Sequence, residues 1–261
     1  MNLLRILLVI SVFQLQAQKT IDPNYFSNPL DIPMVLSGSF GELRSNHFHS
    51  GLDIKTQQRS GVPIYAPADG YVSRIKVGHY GYGKALYIKH PNGYSTVYAH
   101  LQKFETTIQD FVKKSQYKKE RYEIELFPKE SSLLVKKGDL IAYTGNSGSS
   151  GGPHLHYEIR DAYSRPMNPM LFGLEIPDTK DPSVTSVLAY PVSDDATVNQ
   201  SSEPVKLRLI KQKDGSYKTE KISAYGKIGF GIAATDQQNG VFNIFVFFFK
   251  QKTAYEISEC D

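Results

Sequence analysis

One cysteine, Cys260, stands near the end of this 261-residue chain, so no internal disulfide can form. That leaves the redox compartment open, because a chain of this size can bury a sufficient core without cross-links. No apolar run is long enough to span a bilayer comfortably. Residues 1–17 join one early positive charge, Arg5, to a short apolar run and a small residue, Ala17. That pattern predicts a cleaved export signal rather than a membrane anchor, and hence no stable membrane insertion after cleavage. No cysteine lies near Ala17, which argues against lipid attachment there. Charge of either sign is also scarce in excess. The formal net charge is +4, falling by one if Arg5 leaves with the signal, and no run resembles a nucleic-acid module. A hydrophobic content of 40% with 21% charged residues excludes a disordered chain.

What is present is histidine in a pattern. In His154-Leu-His156 a strand would turn both imidazoles to one face and Leu155 to the core. A hundred residues upstream, His49-Ser-Gly-Leu-Asp53 places His49, Gly51 and Asp53 on one side of an extended segment, with Leu52 and Ile54 on the other. Gly51 argues against a helix there, where it would cost roughly 1 kcal/mol relative to alanine. Two strands can thus present three imidazoles and one carboxylate to a common point. That set suits zinc, whose catalytic sites use three protein ligands and keep a fourth position for water.

The surrounding pattern is one of short strands. Tyr71–Val77 alternates, and Pro91-Asn92-Gly93 between Leu86–Lys89 and Tyr94–His100 signals a hairpin. In the second strand Tyr94, Thr96, Tyr98 and His100 are expected to share a face, so that His100 can point into a site. Phe104, Ile108, Phe111 and Val112 fall at helical spacing, which predicts an inserted amphipathic helix over 104–122 with a basic, solvated end. Residues 145–152, Gly-Asn-Ser-Gly-Ser-Ser-Gly-Gly, read as a flexible loop. It is no phosphate cradle, because it lacks the Gly-Lys-Ser/Thr ending and feeds a strand.

The expected organisation is mainly β. A signal at 1–17 and an extended lead-in at 18–34 precede a compact antiparallel β-sheet domain at 35–174 that carries the candidate zinc site and the inserted helix. A partial, β-sandwich-like domain follows at 175–244. Residues 245–261 resemble translated sequencing-adapter read-through and are expected to be non-native.

Five ordered blocks carry a family resemblance: Gly38–Arg44, His49–Asp53, Val62–Gly70, Tyr98-Ala-His-Leu101 and Gly151-Gly-Pro-His-Leu-His-Tyr-Glu158. Together they resemble the lysostaphin/LytM-type zinc metalloendopeptidases, over roughly 35–173. The resemblance implies a groove in an antiparallel β fold and hydrolysis of peptide cross-links in bacterial peptidoglycan, outside the cytoplasm in the periplasm or at the cell surface. Carried over by position, it implies His49, Asp53 and His156 as zinc ligands, and His100 and His154 as the catalytic pair, without deciding which of the two is the base. A ligand-free relative acting as an activator of other wall hydrolases is the rival reading, and a peptidase acting on proteins is a third. Within that resemblance, Tyr157 stands where many relatives carry phenylalanine, a swap expected to be neutral.

Other residues have plainer readings. His47 lies two before His49, and spacing alone leaves both open as ligands. His79 reads as a loop or rim residue and His90 as structural. Tyr80, Tyr82, Tyr94 and Tyr98 are candidates for groove lining or for packing.

Overall fold

The structure is a computed structural model, and it describes residues 21–44, 47–174, 176, 179–236 and 244–253. The expected export signal at 1–17 lies outside the described residues, as does Cys260. Among the described residues no helix is long and apolar enough to cross a membrane.

Short strands follow one another from the first block onward: β1 (Leu36–Gly38), β2 (Leu52–Lys55), β3 (Pro63–Tyr65), β4 (Gly70–Val77), β5 (Lys84–Lys89), β6 (Ser95–Ala99) and β7 (Lys103–Phe104). The helix α1 (Thr106–Lys119) comes next, then β8 (Ile124–Leu126), β9 (Leu134–Val135), β10 (Leu140–Tyr143), β11 (His154–Arg160) and β12 (Pro166–Met167). The main sheet is antiparallel throughout, in the order β1-β2-β11-β6-β5-β4-β8, with β12 beside β11 and β9 beside β4. A smaller sheet runs β3-β10-β7.

Alternation explains the core. Leu52 and Ile54 from β2, Leu155, Tyr157 and Ile159 from β11, Tyr98 from β6 and Leu86 and Ile88 from β5 point to one side and are fully buried. The segment before β1 has no regular structure, yet Phe26, Leu30 and Met34 sink into the same core. Phe26 sits edge-on to His90 and Phe172, at 5.0 and 5.6 Å between ring centroids. The lead-in is therefore a strap across the domain rather than a free arm.

The helix is shorter than its hydrophobic spacing suggested. Phe104 belongs to β7, and the helix starts where the Glu105 side chain accepts the Thr107 backbone N–H. It stops at Glu120, which takes a left-handed conformation. Its buried residues are Ile108 and Val112, while Lys118 and Lys119 close the last turn, favourable beside the negative end of the helix dipole.

Tyr157 corrects an expectation. Its ring is fully buried, and its hydroxyl has no hydrogen-bond partner among the described residues. Phenylalanine there is not an equivalent choice, because a buried, unpaired hydroxyl carries a desolvation cost.

Beyond residue 179 a separate four-stranded antiparallel sheet pairs Val205–Leu207, Ser183–Pro191, Lys227–Asp236 and Ile244–Thr253 in that order. Two short antiparallel pairs accompany it, Thr197–Val198 with Ala224–Tyr225 and Leu209–Lys211 with Tyr217–Thr219, the latter turning at Gly215. Its small core of Val187, Ala189, Val198, Leu207 and Ile228 is distinct from the main one.

Candidate metal centre

Register brings the two histidine motifs together. Across the β2–β11 pair, His156 stands opposite Asp53 and Leu155 opposite Ile54, so the apolar residues enter the core and the polar ones share the other face. Gly51, just before β2, is needed for this approach. A Cβ there would run into the Tyr157 carbonyl oxygen and sit 2.8 Å from Glu158 Cγ.

The Asp53 carboxylate is the hub. Its Oδ1 lies 3.1 Å from His49 Nε2, 2.9 Å from His156 Nδ1 and 3.5 Å from His154 Nε2. His49 Nε2 and His156 Nδ1 are 3.0 Å apart. His49, Asp53 and His156 are all buried and form a group able to hold a metal ion. Oδ2 faces the other way and accepts Arg44 Nη2 at 2.9 Å. Burial works against the Asp53 charge, but the bonds from His154, His156 and His49 outweigh it and hold the carboxyl far below the usual carboxylate range.

Each imidazole has its outward nitrogen tied down. His49 Nδ1 donates to the Ser39 carbonyl at 2.8 Å, His100 Nδ1 to that of Ser147 at 2.9 Å and His154 Nδ1 to that of Gly152 at 2.8 Å. His156 Nε2 donates to Glu158 Oε1 at 2.9 Å. A carbonyl only accepts, so the tethered nitrogen carries the proton and the other keeps its lone pair. When the rings are neutral, three bare imidazole nitrogens, those of His49, His154 and His156, surround one carboxylate as electron-pair donors. At His154 and His156 burial opposes the charged ring, but the Asp53 carboxylate outweighs it and raises the pKa, so without a metal a proton fills that place.

That donor chemistry fits a divalent cation. Zinc bonds of about 2.0–2.2 Å place tetrahedral ligand atoms about 3.3 Å apart. The 2.9–3.1 Å spacings among His49 Nε2, Asp53 Oδ1 and His156 Nδ1 fall close to that edge. The outward bonds match the usual second layer, in which a carbonyl or carboxylate fixes each ligand histidine.

Glu158 is the part of this layer that sequence reading passed over. It is wholly buried and accepts His156 Nε2, Ser50 Oγ at 2.7 Å, the Tyr82 hydroxyl and Arg160 Nε at 2.5 Å. Burial disfavours its charge, but the bonds from His156 and Arg160 prevail and bring its pKa down to about 2. The signal was available in the alternation of His154, His156, Glu158 and Arg160 along one strand face. Arg44 was quoted in a motif without a role, and here it pins the second oxygen of Asp53.

His100 reaches the site by a different route from the one expected. Thr96 and Tyr98 are fully buried, and Tyr98 lies in the core, whereas Val97 and Ala99 stand opposite Glu158 and His156. Strict alternation would send His100 to the core side with Tyr98. Instead φ at His100 is +59°, an uncommon left-handed turn that swings the side chain across. Its ring centroid then lies 4.8 Å from that of His154 and 5.9 Å from that of His156. Burial pushes its pKa down to about 4.

The glycine loop is less free than expected over its first half. Ser147 Oγ donates to the Leu101 carbonyl at 2.8 Å and accepts the Lys84 N–H, while Ser149 N–H donates to the Gly81 carbonyl. Gly148 packs so closely on Gly81 and Gly83 that no Cβ fits, whereas Gly151 and Gly152 face open space.

Of the remaining candidates, Tyr82 lies with its ring 5.0 Å from that of His156, and Tyr80 is exposed. Tyr98 is core, and Tyr94 packs edge-on against Phe172. His47 is exposed outside the group, His79 stacks on Tyr122, and His90 is buried, its Nδ1 donating to the Asp69 carbonyl.

Residues 47–117 and 129–169 match peptidase family M23. The DD-carboxypeptidase/endopeptidase Mpg of Neisseria meningitidis serogroup B is 33% identical over 136 residues, 52% of this chain and 25% of that protein. The peptidoglycan DD-endopeptidase ShyB of Vibrio cholerae is 32% identical over 160 residues, 61% of this chain and 31% of that protein. Among solved structures, a zinc-containing peptidase from Vibrio cholerae is 27% identical with a TM-score of 0.43, covering 59% of this chain and 41% of that one. The chain thus spans about a quarter to a third of the length of these curated relatives. The matched residues include every member of the histidine–aspartate cluster, and over them the chain is similar to peptidase family M23.

Proposed function

We propose that this protein is an exported zinc metalloendopeptidase that hydrolyses peptide cross-links of bacterial peptidoglycan. The observation that carries the reading is the convergence of three imidazole nitrogens, those of His49, His154 and His156, on one buried carboxylate, with His100 beside them. His49 Nε2, Asp53 Oδ1 and His156 Nδ1 would hold the ion. Zinc bound there supplies Lewis acidity toward the scissile carbonyl and the attacking water. Arg44 keeps Asp53 Oδ2 occupied, so the carboxylate offers its other oxygen alone. Glu158 fixes the tautomer of His156 and turns Nδ1 inward.

His100 and His154 then serve the proton transfers. Each has Nδ1 tied to a carbonyl, so its Nε2 is the nitrogen that, in the neutral ring, can accept a proton from water and later return it to the leaving amine. The protonated partner can also stabilise the oxyanion that forms at the scissile carbon. The names of the Neisseria and Vibrio relatives support a DD-type bond between stem peptides over a glycine bridge. Such a substrate lies outside the cytoplasm, which agrees with the signal pattern at 1–17 and with action in the periplasm or at the cell surface.

The test is digestion of purified peptidoglycan with and without a chelator, with released fragments read by mass spectrometry. Chelator-sensitive release of separated stem peptides is expected. His156→Ala should lose zinc, whereas His154→Ala should keep zinc and lose turnover. Intact peptidoglycan after treatment with a folded, zinc-loaded protein would sink the reading.

A further inference from the structure

A recess of about 340 Å³ opens on the same face of the main sheet as the histidine cluster, lined in part by Arg74, Tyr87, Lys89, Ser95, Phe127 and Arg160. We propose that it is a subsite for a carboxylate of the substrate peptide; the inference rests on the endopeptidase reading above.

Register places it. His156, Glu158 and Arg160 alternate onto one face of β11, and across β6 they stand opposite Ala99, Val97 and Ser95. One strand further, Tyr87 is opposite Val97 and Lys89 is opposite Ser95, and Arg74 pairs with Tyr87 beyond that. Four residues separate Arg160 from His156, about 13 Å along a strand. An extended peptide covers the same distance in about four residues. A substrate with its scissile bond at the cluster therefore carries its groups to the recess within one stem.

The lining is built for a negative oxygen. The Lys89 ammonium is exposed and has no ion-pair partner among the described residues. Arg160 uses Nε on Glu158, which leaves its Nη groups free to donate into the recess. Arg74 engages Glu125 through Nε and Nη2 and lies 4.6 Å over the Tyr87 ring. Tyr87 is buried, and its hydroxyl has no hydrogen-bond partner among the described residues. The one acid in the lining, Asp161, is turned away, its Oδ2 accepting Arg165 Nε at 2.6 Å and its Oδ1 accepting the backbone N–H groups of Tyr163 and Arg165. The carboxylates nearby, Glu125, Glu158 and Asp161, each already have partners, so the Lys89 ammonium, the outer Arg160 nitrogens and the Tyr87 phenol remain to recognise a carboxylate through charge-assisted bonds. An amide of the same shape offers one neutral acceptor and two donors, which face donors here.

The experiment uses the full zinc-loaded chain and two cross-linked stem-peptide dimers, one with free side-chain and terminal carboxylates and one with these amidated. Amidation should raise KM about tenfold while kcat stays within about twofold, as expected for loss of a charge-assisted bond in binding. Lys89→Ala should reduce that discrimination to about twofold, and Lys89→Arg should restore it. Equal KM values for the two dimers, or full discrimination retained in Lys89→Ala, would overturn the subsite. If neither dimer is cleaved, the endopeptidase reading fails instead. Calorimetric binding of the same dimers then decides the subsite, upheld by tighter binding of the free acid and overturned by equal affinity.

Discussion

Replacing Tyr157 by phenylalanine should stabilise this protein. The hydroxyl lies in the core beneath the histidine–aspartate cluster, fully buried and without a partner among the described residues. The nearest aromatic, Tyr98, is 5.5 Å away between centroids, and its own hydroxyl is engaged with Thr96 Oγ1 at 2.8 Å. Burying a hydroxyl without a partner costs about 1–3 kcal/mol. Removing it recovers most of that and leaves a gap of one oxygen atom, which takes back a few tenths of a kcal/mol in lost contacts. The expected gain is about 1–2 kcal/mol, or roughly 3–6 °C in Tm for a domain of this size. Urea unfolding should show a higher midpoint at unchanged slope. Zinc affinity should not change, because Tyr157 and His156 face opposite sides of β11. An unchanged or lower midpoint would refute the reasoning, since it would mean that the hydroxyl is bonded in the folded protein.

Glu158→Gln should lower zinc affinity by about 10–100-fold, the usual effect of losing a carboxylate behind a ligand histidine. An amide cannot accept from both His156 Nε2 and Arg160 Nε, so one of those bonds becomes a donor–donor conflict. Competition against a chromophoric chelator measures this, and affinity within about twofold of wild type would contradict the positioning role. A pH effect should come from His90, whose pKa burial pushes down from about 6.5 to about 4. Between those values the unfolded chain binds the proton and the folded protein does not, so stability is full above about pH 6.5 and falls by about 3 kcal/mol as pH drops to about 4. His90→Gln should remove that part of the slope, and a variant with the wild-type slope would assign it to other groups.

Much of the site was legible because period-two alternation is a strong local rule. It placed Leu155 in the core and His154 and His156 on one face, and register across β2 did the rest. The same rule misdirects at His100, where a single left-handed φ breaks the alternation and no turn residue advertises it. The helix boundaries slipped for a similar reason. Phe104 continues the apolar spacing of Ile108 and Val112 but is claimed by pairing with Ala142 in β10, a contact that local sequence does not contain. The strap residues Phe26, Leu30 and Met34 were hidden among prolines, and only tertiary packing reveals them as core. Glu158 and Arg44 act on the cluster through bonds to its outward side, so nothing in ligand spacing names them.

The uneven glycine loop has a consequence for how such a protein can vary. Gly148 is wedged between Gly81 and Gly83, and the stitches of Ser147 and Ser149 run to the same neighbours and to Leu101. Ser147 also carries the carbonyl that orients His100. A lengthening or a bulky residue at 145–149 would therefore be felt as a misaimed imidazole. Three residues later, a side chain at Gly151 would meet nothing, whereas Gly152, equally open on its Cβ side, carries the carbonyl that tethers His154 Nδ1. New chain grafted at Gly151 could reshape what enters the groove while Ser147 goes on orienting His100 and Gly152 His154, so variation and preservation can proceed within one eight-residue turn.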